Sequence, residues 1–107
     1  MDKVIRDSEV AVLYSPNFGA GWYSWHGVEE LLFSPEIVSI IESCGEDDDK
    51  KYNEIMAYME ENYPDVYAEG ARDLTITWLP KGTCFEIGEY DGHESVRVLD
   101  HVTWITA

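Results

Sequence analysis

Ser34-Pro35-Glu36-Ile37-Val38-Ser39-Ile40-Ile41-Glu42-Ser43-Cys44-Gly45 is the stretch on which the fold turns. Serine is a preferred N-cap, proline sits well at the first helical position, and Glu36 faces the positive end of the helix dipole. Ile37, Ile40, Ile41 and Cys44 then recur at i, i+3, i+4 and i+7, one apolar stripe on a helix. Gly45 is placed to end it. A strand before this helix, a second helix after it and a β region beyond set the architecture.

Upstream, Glu9 to Tyr14 reads as a strand. Val10, Val12 and Tyr14 alternate with Ala11 and Leu13, both faces are apolar, and the strand is expected inside a sheet. Ser15-Pro16-Asn17 ends it, and Val28 to Phe33 reads as a short helical turn. Downstream, Glu46-Asp47-Asp48-Asp49 leads into a second helix from about Lys50 to Asn62, with Tyr52, Ile55, Met56, Met59 and Tyr63 as its stripe and Pro64 as its stop. The remainder reads as β: Leu74, Ile76 and Trp78 alternate with threonines, Pro80-Lys81-Gly82 turns the chain, and Phe85 and Ile87 share a face. Asp91-Gly92 is a hairpin signal, and Val96, Val98 and the Val102-Thr103-Trp104-Ile105 run continue the pattern.

The expected fold is a single α+β domain of order β-α-α-β-β-β, two helices packed on one face of a mostly antiparallel sheet. Its parts are a strand at 9–14, a glycine and aromatic loop at 17–26, an acidic helical region at 28–63 and a β-meander at 74–106. A chain of 107 residues, 45% hydrophobic, supports one core and not two.

The net charge is −15, with 22 acids against 7 bases. Residues 1–28 carry −1, residues 29–73 carry −11 and residues 74–107 carry −3. Such a charge opposes direct binding to nucleic-acid phosphates or an anionic membrane. It exceeds the magnitude of about 2–8 that keeps a small domain soluble, and clustering it costs stability. The expectation is a partner surface of opposite sign, met by Glu42, Glu46, Asp47, Asp48, Asp49, Glu54, Glu60 and Glu61. A solvated helix face is the plainer reading of the same residues.

The second feature is the loop Asn17-Phe18-Gly19-Ala20-Gly21-Trp22-Tyr23-Ser24-Trp25-His26. Gly19 and Gly21 allow close backbone approach, and Trp22, Tyr23, Trp25 and His26 join apolar bodies to polar handles. These residues could line a pocket for a planar ligand such as a nucleotide, or plug one end of the core. Gly-x-Gly without a third glycine or a P-loop lysine is a weak phosphate signal.

No catalytic constellation or metal site assembles from spacing. His26, His93 and His101 lack i, i+4 ligand spacing, and Cys84 in mid-strand reads as a buried residue rather than a nucleophile. Asp47-Asp48-Asp49 has lysine and tyrosine where a calcium loop needs its fifth ligand and its glycine. Arg72 and Asp73, flanking the first C-terminal strand, read as residues with an ion-pair role. No cofactor is expected. Cys44 and Cys84 are the only cysteines, and a disulfide between them depends on the fold. The charged start of the chain carries no apolar core of a signal peptide, and no run spans a bilayer, so the cytoplasm and reduced thiols are expected.

Gly19-Ala20-Gly21-Trp22, Asp65-Val66-Tyr67 with Gly70, Asp73-Leu74, Trp78-Leu79-Pro80-Lys81-Gly82-Thr83, Phe85-Glu86-Ile87 and Glu89-Tyr90-Asp91-Gly92 form an ordered series. The series resembles a group of small uncharacterised bacteriophage and prophage proteins and covers most of the chain. The resemblance implies a phage-type accessory protein in a bacterial cytoplasm, and carries no catalytic residues with it. Taken with the charge, the expected function is non-enzymatic: inhibition of a host protein with a basic groove, as a nucleic-acid mimic or anti-defence factor. The alternative is a binder that sequesters a small ligand or nucleotide on the glycine and aromatic loop. A homodimer through exposed β edges is a further expectation.

Overall fold

The computed structural model describes residues 2–17 and 19–99. The strand read at 9–14 is β2 (Glu9–Tyr14), and it is central: β1 (Ile5–Arg6) and β3 (Thr75–Pro80) pair with it on either side, both antiparallel. Ala11 lies opposite Trp78 and Leu13 opposite Ile76. The β1–β2 turn is Asp7-Ser8, both at positive φ, the geometry a two-residue hairpin demands. This turn lacks the glycine that flags such hairpins, so β1 is missing from the sequence reading.

The helices form where expected. Ser34 Oγ accepts from the Ile37 amide at 3.3 Å and starts α2 (Pro35–Cys44), after a one-turn α1 (Tyr23–His26) and a 3-10 turn at Glu29–Leu32. Asp47 caps α3 (Asp48–Asn62) by accepting from the Lys50 amide at 3.1 Å. A second 3-10 turn, Glu69–Asp73, leads back into the sheet.

One expectation needs correction. Among the described residues, the strands after residue 74 do not all join one sheet with β2 as a meander. Among the described residues, β3 belongs to the three-stranded sheet, while β4 (Phe85–Tyr90) and β5 (His93–Val98) make a separate hairpin. The reason lies in β2, which is apolar on both faces. Ala11 and Leu13 join Ile37, Val38, Ile55 and Met59 in the core beneath the helices. Val12 points the other way, into a second cluster with Leu32 and Phe33, and Phe85 and Ile87 of β4 pack on it. The hairpin thus leaves the edge of β3 to cover the second face. The class is α+β as expected, with helices on one side of the main sheet and a hairpin on the other. The run Val102–Ile105 and His101 lie outside the described residues.

Candidate functional site

All eight acids expected to meet a partner are exposed on α2, α3 and their connection. The local chemistry explains why the helices tolerate them. Asp47 is the N-cap of α3, and Asp48 and Asp49 occupy its first turn, where the dipole favours negative charge. Glu42 is gripped by both guanidinium nitrogens of Arg6, at 2.5 and 2.8 Å. That pairing holds the Glu42 carboxyl below its ordinary pKa and the Arg6 guanidinium above its own. Glu54 accepts a bond from the Cys44 thiol at 2.9 Å, and the same contact raises the thiol's pKa and keeps it inert. Asp48 and Asp49 stand 3.8 Å from Lys51 and 3.6 Å from Arg72.

At about 100° per residue, Glu54 and Glu61 share one flank of α3 while Asp49 and Glu60 share another. The charge therefore wraps the outer surface of the helix rather than forming a single stripe. The buried residues Ile55 and Met59 anchor the opposite side.

The aromatic loop is placed less openly than its composition implies. Trp22 is completely buried, and its indole N–H donates to the Leu31 carbonyl at 2.9 Å. It offers no face for a ligand to stack on. Gly21 is buried as well. The glycines serve backbone-to-backbone packing: a methyl group on Gly92 would lie 1.8 Å from the Gly19 carbonyl oxygen, and one on Gly70 would lie 2.3 Å from that of Gly21. Tyr23 is half-buried and lines an open groove with Leu32, Phe33 and Phe85. His26 meets the Trp22 ring edge-on, with centroids 4.8 Å apart. Its Nδ1 accepts from the Val28 amide at 2.9 Å, and its Nε2 is buried with no hydrogen-bond partner. Burial pulls its pKa down to about 4. Trp25 alone of the two loop tryptophans is open, 46% exposed, beside a 49% exposed Tyr67.

Sequence reasoning missed the residue that ties this loop down. Glu94 of β5 is fully buried. Its carboxylate accepts from the Ser15 amide at 2.8 Å, the Ser24 amide at 2.8 Å and the Ser24 hydroxyl at 2.6 Å. A carboxylate with several such donors tolerates burial that an unpartnered one does not. The alternation of β5 places Glu94 on one face with Val96 and Val98, and that acid on an otherwise apolar face was the available signal.

Comparison with protein-family models, curated proteins and solved structures finds no match.

The remaining candidates do not converge. Cys44 is buried and Cys84 exposed, both with free thiols, so no disulfide links them. Among the described residues, no group of three or more His, Cys, Asp or Glu side chains is arranged to hold a metal. Arg72 takes an ion-pair role with Asp49 and lies over the Tyr52 ring. No helix among these residues is long and apolar enough to cross a membrane.

Proposed function

We propose that this protein is a non-enzymatic binding protein that occupies the basic surface of another protein, using the acidic shell of α2 and α3. The observation that carries this reading is that Glu42, Glu46, Asp47, Asp48, Asp49, Glu54, Glu60 and Glu61 are all solvent-exposed on a helical pair with a packed underside. Charge held on rigid elements repels its own neighbours and gains favourable energy only when a cationic surface meets it. Association would be fast, steered by the field and steeply weakened by salt.

With the resemblance to phage proteins, we read the setting as the cytoplasm of a bacterial host. The partner is a host protein with a basic groove, such as a nucleic-acid enzyme of a defence system, and the acidic shell competes for that groove.

The test is capture of partners from bacterial lysate by the tagged protein, at about 50 mM and about 500 mM salt. It is paired with a variant carrying Asp47→Asn, Asp48→Asn and Asp49→Asn. Asparagine caps a helix as well as aspartate, so α3 keeps its start while losing charge. The expected result is a basic protein held at low salt, released at high salt, and bound about tenfold or more weakly by the variant. A partner held equally at both salt concentrations and by the variant overturns the reading.

A further inference from the structure

Trp25 and Tyr67 form an exposed aromatic ledge, their centroids 5.5 Å apart and their planes tilted by 31°. They come from distant parts of the chain, α1 and the link after α3, and neither ring is buried in the core. Tyr67 also lines an open groove of about 340 Å³ with buried Met59 and Ala68, half-buried Met56, and the exposed acids Glu60 and Glu69 at its rim. Ledge, apolar floor and acidic rim lie side by side. An apolar ligand has no use for the rim, and a small cation has no use for the ledge. A flat cation with an aliphatic stem uses all three.

The chain itself shows that pairing twice. Arg72 lies 3.9 Å over the ring of Tyr52 while standing 3.6 Å from Asp49. Arg6 lies 5.3 Å over the ring of Trp78 while gripping Glu42. In each case a guanidinium takes an aromatic face and a carboxylate together. Among the described residues, the cations placed over rings are Lys3, Arg6 and Arg72, and none of them covers Trp25 or Tyr67.

We infer that the Trp25–Tyr67 ledge and the groove beside it receive an arginine side chain of the partner protein, stacked on the rings and paired with the rim carboxylates. Guanidinium is planar and weakly hydrated and stacks on rings, whereas ammonium is compact and strongly hydrated. The surface therefore selects arginine over lysine. This inference rests on the proposed binding of a basic protein and adds where the partner's anchor goes.

The probes are labelled oligoarginine and oligolysine peptides of equal length, titrated by fluorescence anisotropy against the whole chain at about 50 mM salt. The wild type is expected to bind the arginine peptide about two- to fivefold tighter than the lysine peptide. Trp25→Ala with Tyr67→Ala should abolish that preference and leave lysine-peptide affinity unchanged. Trp25→Phe with Tyr67→Phe should keep most of it, which separates ring loss from a damaged fold. The Asp47, Asp48 and Asp49 asparagine variant should weaken both peptides alike. Equal affinity for the two peptides in the wild type, or a preference that survives the alanine pair, overturns the inference while the charge-driven reading stands. Failure of both peptides to bind wild type overturns that reading too, and this inference with it.

Discussion

The imidazole of His26 is neutral by construction. Its Nδ1 must accept from the Val28 amide, and its ring is pressed edge-on against Trp22. The folded pKa of about 4 lies below the ordinary 6.5, so between these values the unfolded chain holds a proton that the folded chain refuses. Stability from this residue is complete above about pH 6.5 and is lost as pH falls toward 4. After discounting for the ring's partial contact with solvent, the loss is about 1–2 kcal/mol. Urea unfolding at about pH 7 and about pH 4.5 checks it: His26→Gln should be less stable at neutral pH, yet lose less on acidification than wild type. An equal loss in both proteins rules the effect out. At this scale the sequence was half legible. Trp22 and His26 announced themselves by type and position, but burial turned a binding aromatic into a core one. Glu94 stood out only as an acid on an otherwise apolar strand face, and its donors, 70 and 79 residues away, were not readable.

Elements were more legible than their partners. Helix α2 showed its start, stripe and stop in the twelve consecutive positions from Ser34 to Gly45, because capping and 3.6-residue periodicity are local physics. The turn at Asp91-Gly92 was equally local, and Tyr90 indeed pairs with His93 across it. What local physics omits is which sheet a strand joins. The apolar second face of β2 demanded a cover, and only the packed structure shows that Phe85 and Ile87 supply it. The hairpin also packs its turn against the glycine loop: a methyl group on Gly92 would lie 1.8 Å from the Gly19 carbonyl oxygen. Gly92→Ala should therefore cost about 2 kcal/mol or more and lower Tm by about 10 °C. Gly82→Ala is the control. Its φ of 87° is close to the 85° of Gly92, but nothing lies within 4 Å of the added methyl. Thermal melts should show a clearly smaller loss for Gly82→Ala; equal losses mean that φ alone, and not the clash, governs both.

For the whole molecule the dominant quantity is charge. A net −15 on 107 residues, two-thirds of it or more within residues 29–73, sets up repulsion that salt relieves. Raising salt from about 20 mM to about 200 mM should raise Tm by about 5 °C, since the Debye length then falls below the spacing of neighbouring helix faces. A flat or falling Tm would show that the Arg6–Glu42 pair and its kin outweigh the repulsion. Composition made this property legible from the start, while the ledge of Trp25 and Tyr67 stayed hidden, as no spacing rule joins positions 42 residues apart across two elements. The Glu94 clasp has a consequence of another kind, in the order of events on the ribosome. At about 5–20 residues per second, the segment from Ser15 to Ser24 leaves several seconds before Glu94 is made. Helices α2 and α3 can form meanwhile from local contacts, but the loop between β2 and α1 waits for β5 to close it. Until then the amides of Ser15 and Ser24 lack the carboxylate that holds them, and the nascent chain is the state most exposed to chaperones and proteases.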